Sequence, residues 1–201
     1  QFYNKDPNGD KSMAVLLHGD GAFSGQGIVY ETLDMSKLPE YTVGGTLHIV
    51  VNNQVAFTTD PKYSRSSAYC TDVAKGMEVP VFHVNGDDVE AVAWVMELAT
   101  EWRMKWKTDA VVDIVCYRKY GHNEIDEPMF TQPKMYKVIK QHPSALTQYS
   151  QKLVNEGVIT PDEYTKMKDR IVSKMEEEFE AAKTYVPKQR DWLASHWPGF
   201  N

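Results

Sequence analysis

Four short apolar runs, each rich in β-branched residues, recur along the chain and are separated by stretches with helical periodicity. The runs lie at residues 14–17, 46–51, 79–84 and 110–117. Apolar strands that alternate with helices favour a parallel sheet. Runs that are apolar at successive positions, Met13 to Leu17 among them, are typical of strands buried on both faces. The pattern therefore predicts an α/β fold in which helices cover both faces of a parallel sheet.

The clearest helical pattern runs from Val89 to Trp106, where apolar residues recur every three or four positions. Asp87 or Asp88 is expected to cap its first turn. Weaker patterns predict helices over residues 23–33 and 68–77.

The pattern changes after about residue 130, and no further strand is indicated there. Prolines at 128, 133 and 143 interrupt this part of the chain. Thr160-Pro161-Asp162-Glu163 is typical of a helix start, because Thr160 can cap the helix and Glu163 can complete a capping box. An amphipathic helix is predicted from there to about Lys183. We therefore divide the chain into an α/β module, residues 1–130, and a helical extension with a linker, residues 131–201.

Composition excludes several classes of function. The chain has 201 residues and a net charge of −6, and without a basic stripe this argues against nucleic-acid binding. No run reaches the roughly 18 consecutive apolar residues that a membrane span needs. The two cysteines, Cys70 and Cys116, show neither a disulfide framework nor a metal-binding spacing.

Candidate chemistry lies where the first two predicted strands end. Asp20 follows the first strand between two glycines, and Asn52-Asn53 follows the second. If these strands are neighbours in a parallel sheet, Asp20 and Asn53 emerge at the same edge, where such sheets bind ligands. One carboxylate and one amide oxygen suit Mg²⁺ that is also bound to substrate phosphates. On the glycine turn alone, a helix cap is the commoner explanation of such an aspartate. A dinucleotide site would want an acidic residue where the amides stand.

A third candidate is His122, in the polar loop Gly121-His122-Asn123-Glu124 after the fourth predicted strand. A histidine there can donate to a phosphate or transfer a proton. A solvated loop explains the same residues, and spacing alone does not choose between the two.

Longer strings carry a more specific resemblance. Gly19-Asp20-Gly21, thirty further residues and then Asn52-Asn53 is similar to the signature of thiamine-diphosphate enzymes. The chain resembles one branch of them, the 2-oxoglutarate dehydrogenases, over nearly its whole length. The strings that carry this resemblance are HGDGAFSGQGIVYET, VNNQVAFTTDP, RSSAYCTDVAK, HVNGDD and CYRKYGHNEIDEPMFTQPKMY.

The resemblance implies the thiamine-diphosphate-binding fold, of which this chain would be the diphosphate module. It implies a Mg²⁺ ion bound by Asp20, the side chain of Asn53 and the backbone carbonyl of Val55. The backbone at Gly21 and Ala22 would approach the diphosphate. His122 would lie near the diphosphate as a catalytic residue.

One residue departs from the pattern, because many members of this branch carry alanine where Gly21 stands. A backbone contact is expected at this position, so glycine should preserve it.

The resemblance also implies partners that this segment would serve. The full enzyme would be a homodimer that oxidatively decarboxylates 2-oxoglutarate in the tricarboxylic acid cycle. It would pass the succinyl group to a lipoyl group of the dihydrolipoyl succinyltransferase component. The expected location is the mitochondrial matrix, or the cytoplasm in a bacterium. The pyrimidine module would follow this segment, so the segment alone should be inactive.

Two alternatives remain open from the sequence. A 2-oxoadipate dehydrogenase of the same family shares these strings. A non-catalytic nucleotide-binding or interaction module could use Asp20 and His122 structurally, and it would show no metal-dependent binding of thiamine diphosphate.

Overall fold

The computed structural model describes residues 5–187, which form four strands, seven α-helices and one 3-10 helix. In chain order the elements are β1 Ala14–Gly19, α1 Asp20–Gly25, α2 Gly27–Met35, β2 Thr46–Asn52, α3 Pro61–Ser64, the 3-10 helix Asp72–Met77, β3 Val81–Asn85, α4 Val89–Trp106, β4 Ala110–Val115, α5 Pro133–Gln141, α6 Ala145–Asn155 and α7 Pro161–Ala182.

The four strands form one sheet in the order β1-β2-β4-β3, and every neighbouring pair is parallel. This confirms the predicted α/β class. β1 and β2 lie side by side, with Ala14 opposite Thr46 and Gly19 opposite Val51. The segments that follow β1 and β2 therefore leave the sheet at the same edge.

Helices pack on both faces of the sheet, as predicted. Successive residues of a strand point to opposite faces, so β4 contributes Val111 to one core and Ala110 and Val112 to the other. The first core contains Phe23 and Leu33 from α1 and α2. The second is formed with α4, whose Val95 and Ala99 are buried.

The prediction that residues 13–17 form a strand buried on both faces is wrong for the described chain. Val15 and Leu16 are 43% and 44% exposed, and Leu17 is 71% exposed. β1 is one of the two edge strands of the sheet and pairs only with β2. A strand at that position has one neighbour, so its apolar sequence does not ensure its burial.

Two of the predicted helices differ in detail. In place of one helix over 23–33, α1 and α2 are separated at Gln26, whose backbone is extended (φ −90°, ψ 125°). In place of an α-helix over 68–77, the structure has only the 3-10 helix Asp72–Met77. Gly76 disfavours an α-helix, and Pro80 prevents its continuation.

α4 has the predicted bounds, and the side chain of Asp88 caps it by accepting from the N–H of Ala91. α7 begins with the predicted capping box, in which the hydroxyl of Thr160 accepts from the N–H of Glu163. Two helices after residue 130 were not predicted. In α5 the first residue is Pro133, which was interpreted as an interruption although proline fits a first helical turn.

The described part of the chain divides into two compact units between Tyr149 and Ser150. The division into functional modules after residue 130 stays a prediction, and residues 188–201 of the extension lie outside the described part. Among residues 5–187, no helix combines the length and the apolar character that crossing a membrane requires.

Candidate cofactor and metal site

Asp20 and Asn53 leave the sheet at the same edge. Asp20 is the first residue of α1, directly after β1, and Asn53 directly follows β2. Since Gly19 pairs with Val51 across the two parallel strands, the two polar residues follow adjacent strand ends. The condition on which the sequence argument depended, that the first two strands are neighbours, is met.

The carboxylate of Asp20 is almost completely buried, with the residue only 2% exposed. Burial raises the pKa of this carboxyl above its ordinary value, and the buried carboxylate of Asp113 acts in the same direction. The N–H groups of Asp20 and Gly21 and the positive charge of Arg65 oppose this rise. The guanidinium Nη1 of Arg65 lies 3.9 Å from Oδ2 of Asp20. A buried carboxylate of this kind is stabilised by a cation placed close to it.

The loop after β2, residues 53–59, is tightly folded. Oδ1 of Asn53 accepts from the N–H of Val55 at 3.2 Å, and Ala56 and Thr59 form an antiparallel bridge. Gln54 and Phe57 have φ values of 63° and 57°. Left-handed backbone at residues other than glycine costs free energy, and such residues cluster at functional sites.

This loop packs directly against the start of α1. A Cβ atom at Gly21 would lie 2.5 Å from Cβ of Ala56 and 3.3 Å from its Cα. Real Cβ atoms do not approach so closely, so the two segments touch at van der Waals distance only because residue 21 is glycine. The departure noted in the sequence therefore has a local cause, since Ala56 fills the space that an alanine at 21 would need.

The loop also contacts His122. The imidazole of His122 lies edge-on against the ring of Phe57, with the ring centroids 4.7 Å apart. The backbone N–H of His122 donates to Oδ2 of Asp126 at 2.8 Å. A Cβ at Gly121 would collide with the carbonyl of Asp126, so only glycine fits there. Arg118 joins the two loops by donating to the carbonyl of Phe57 at 2.9 Å.

Contacts of the loop thus connect most of the predicted residues. Within it, Asn53 bonds to Val55, while Ala56 touches Gly21 and Phe57 touches His122. Ala22 lies exposed in the first turn of α1. His122, Ala22 and Phe57 present exposed side chains, so this part of the site faces solvent.

Sequence reasoning missed Arg65. This residue belongs to the string RSSAYCTDVAK but matches no motif of its own, and 44 residues separate it from Asp20. Only the fold of the segment after β2 brings its guanidinium to the carboxylate, so no local signal could have identified it.

The oxygen atoms of Asp20, Asn53 and Val55 suit a hard cation that also binds oxygens of a phosphate ligand. No group of three or more His, Cys, Asp or Glu side chains within residues 5–187 could hold a metal ion by itself. A carboxylate, an amide oxygen and a backbone carbonyl do not form such a group, yet they are ligands that Mg²⁺ accepts alongside phosphate oxygens and water. The amide oxygen of Asn53 has two lone pairs, so its bond to Val55 leaves one available.

Comparison with known proteins defines the family. The sequence model described as "Dehydrogenase E1 component" matches residues 3–190. The chain belongs to the dehydrogenase E1 component family. This dehydrogenase E1 chain is 57% identical over 200 residues to "2-oxoglutarate dehydrogenase, mitochondrial" of Dictyostelium discoideum. It is 52% identical over 201 residues to the protein of that name in Schizosaccharomyces pombe, and 51% identical over 190 residues to that in Saccharomyces cerevisiae.

These alignments cover 94–100% of the dehydrogenase E1 chain but only 19–20% of each relative. The chain therefore spans about a fifth of the length of these curated relatives. Its parallel sheet with helices on both faces is consistent with the α/β fold expected for a thiamine-diphosphate enzyme.

Proposed function

We propose that this chain is the diphosphate- and Mg²⁺-binding segment of a thiamine-diphosphate-dependent 2-oxoglutarate dehydrogenase. The whole protein would oxidatively decarboxylate 2-oxoglutarate and transfer the succinyl group to a lipoyl group of the succinyltransferase component in the tricarboxylic acid cycle. The observation that carries the proposal is the loop 53–59, whose contacts connect most of the predicted site residues, namely Gly21, Asn53, Val55 and His122. The chain that contains this loop is 51–57% identical to 2-oxoglutarate dehydrogenases. The names of these relatives support a location in the mitochondrial matrix.

In this proposal the carboxylate of Asp20, the side-chain oxygen of Asn53 and the carbonyl of Val55 hold Mg²⁺. The burial of Asp20 supports the assignment, because a divalent cation would stabilise a carboxylate whose pKa burial raises. The chemistry of the donors supports it as well, since all three are hard oxygen atoms. The metal would also neutralise charge on the diphosphate.

Three further residues have roles beside the metal. Gly21 and Ala22 lie in the first turn of α1, where backbone N–H groups are not used within the helix and can donate to phosphate oxygens. His122 is held against Phe57, and its loop is fixed by the bond from its N–H to Asp126. Its exposed imidazole can donate to a phosphate or move a proton. Thiamine diphosphate, when bound, supplies the nucleophilic carbon and the electron sink for decarboxylation.

The partners of the whole protein follow from the same proposal. They are 2-oxoglutarate, the lipoylated dihydrolipoyl succinyltransferase component and a second copy of the full polypeptide. The groups that activate the aminopyrimidine and bind the substrate carboxylates would come from parts of the protein beyond this segment. We therefore expect the isolated segment to be inactive.

An activity assay on the natural polypeptide that contains this chain tests the proposal. With thiamine diphosphate, Mg²⁺ and an artificial electron acceptor, we expect decarboxylation of 2-oxoglutarate with a kcat/KM above that for 2-oxoadipate. Asp20→Ala should abolish turnover, whereas Asp34→Ala, at an exposed position of α2, should leave it unchanged. A preference for 2-oxoadipate would reassign the substrate. Full turnover by the Asp20→Ala variant would refute the assigned site.

A further inference from the structure

Arg65 lies buried beside Asp20 with hydrogen-bonding capacity that the described chain does not use. It follows α3 and has an extended backbone (φ −151°, ψ 153°). Its side chain is 14% exposed. The Nε and Nη1 atoms are both shielded from solvent, and neither has a hydrogen-bond partner among the described residues.

Asp20 does not satisfy these donors. The distance of 3.9 Å from Nη1 to Oδ2 of Asp20 is an electrostatic contact but is too long for a hydrogen bond. Asp72 also senses the charge of Arg65, which contributes to a lowered pKa of that carboxyl after the larger effect of its bond with Lys75. Asp72 is already paired with Lys75 at 2.6 Å. The guanidinium therefore lies beside the carboxylate of Asp20 without a hydrogen bond to it.

Unpaired buried donors are costly, and charged ones more so than neutral ones. A guanidinium presents its N–H groups in a rigid planar fork that matches the oxygens of phosphate or carboxylate groups. Two donors of this fork are left unused next to a carboxylate, which indicates that an anionic acceptor belongs between Arg65 and the start of α1.

The charge at this edge of the sheet favours a diphosphate as that acceptor. Asp20 takes up one of the two charges of a divalent ion, and the remaining single charge does not neutralise a diphosphate. The guanidinium of Arg65, with Nη1 3.9 Å from Oδ2 of Asp20, supplies a further positive charge beside it. Without ligand, the same guanidinium partly compensates the buried carboxylate.

We propose that Arg65 is a cofactor-binding residue, whose Nε and Nη1 donate to oxygens of the diphosphate. The inference rests on the proposed function. It adds one residue that binds the diphosphate and that lies outside the glycine turn, the two asparagines and the histidine loop.

The test measures the affinity of the natural polypeptide for thiamine diphosphate at saturating Mg²⁺, by calorimetry or tryptophan fluorescence. Arg65→Gln removes the charge and the fork, and Arg65→Lys keeps the charge but removes the fork. Arg65→Gln loses two charge-assisted hydrogen bonds, so we expect its Kd to rise about a hundredfold or more. The rise should be smaller but still fivefold or more in Arg65→Lys. Arg170→Gln, at an exposed position of α7, is the control and should not change the Kd.

The outcomes separate this inference from the proposed function. Thermal melting without cofactor reports whether a variant still folds, and Arg65→Lys decides the matter if Arg65→Gln does not. A Kd within fivefold of wild type in a folded Arg65→Lys variant overturns the inference, since the diphosphate then does not depend on the guanidinium fork. A wild-type protein that shows no Mg²⁺-dependent binding of thiamine diphosphate overturns the proposed function itself.

Discussion

Replacing Gly21 with alanine adds a methyl group where α1 touches the loop after β2. The new Cβ would lie 2.5 Å from Cβ of Ala56, whereas non-bonded carbon atoms are comfortable at about 3.5–4.0 Å. The two segments must therefore separate by about 1 Å. Neither contact atom is the end of a flexible side chain, so the adjustment falls on the backbone of residues 53–59.

Overpacking of this kind typically costs about 1–3 kcal/mol. Without ligand, the loop can relieve the strain by moving away from α1. In the proposed site, Mg²⁺ would draw Asn53 and Val55 back towards Asp20, so the cost should appear in the affinity. At about 1.4 kcal/mol per tenfold change, the Kd for thiamine diphosphate with Mg²⁺ should rise roughly 5- to 150-fold.

A double-mutant cycle measures this effect. Calorimetric titrations of Gly21→Ala, Ala56→Gly and the double variant give the Kd for thiamine diphosphate with Mg²⁺. The Kd should be raised in Gly21→Ala and should return to within about threefold of wild type in the double variant. Gly25→Ala is a matched control in the same helix, because nothing lies within 4 Å of a Cβ at that position. Wild-type affinity in Gly21→Ala, or failure of Ala56→Gly to restore binding, would refute the close packing of the two segments as the cause.

Three further predictions concern stability, and each can be checked by hydrogen exchange as a local free energy of unfolding. Arg103 is completely buried and donates from Nε to the carbonyl of Gly45 at 2.9 Å. Arg103→Met should therefore lower the local free energy of unfolding of α4 by about 2–4 kcal/mol. Unchanged protection of the α4 amides from exchange would count against this role. Burial lowers the pKa of His48 to about 4, so only the unfolded state takes up the proton as pH falls from about 6.5 towards 4. The stability contributed by neutral His48 should be complete above pH 6.5 and decline by up to about 3 kcal/mol across this range. His18, which contacts His48 at 3.0 Å, also has a pKa lowered by burial, so His48→Gln should reduce the slope, and an unchanged slope in that variant would contradict the assignment. Thr160→Ala removes the capping box of α7 and should cost about 1 kcal/mol at its first turn, whereas no change in the exchange of those amides would show that the cap contributes little.

The sequence was most informative where local chemistry and periodicity act together. The bounds of α4 and the capping box of α7 were predictable because both depend on residues within one or two helical turns. The parallel sheet was predictable because apolar strands alternate with helices. The break at Gln26 does have a local cause, since Gly25 and Gly27 flank it and glycine disfavours a helix, but the apolar period across residues 23–33 is nearly unchanged and favoured one helix.

Features set by distant residues were not predictable. The exposure of Leu17 depends on β1 being an edge strand, which the strand order decides and the apolar run does not. At the site, the glycine turn and the two asparagines could be identified, because residues that follow strand ends share an edge of the sheet. Arg65 and Ala56 could not, because their positions beside Asp20 and Gly21 depend on how the segment after β2 folds back.

The central claim is that one divalent ion joins the ends of β1 and β2 to a diphosphate. Crystals of the natural polypeptide grown with Mn²⁺ in place of Mg²⁺ and with thiamine diphosphate would locate that ion by anomalous scattering. The account predicts one peak within about 2.0–2.4 Å of a carboxylate oxygen of Asp20, Oδ1 of Asn53 and the carbonyl of Val55. With the cofactor bound, a peak at other residues, or no peak between these three donors, would contradict it.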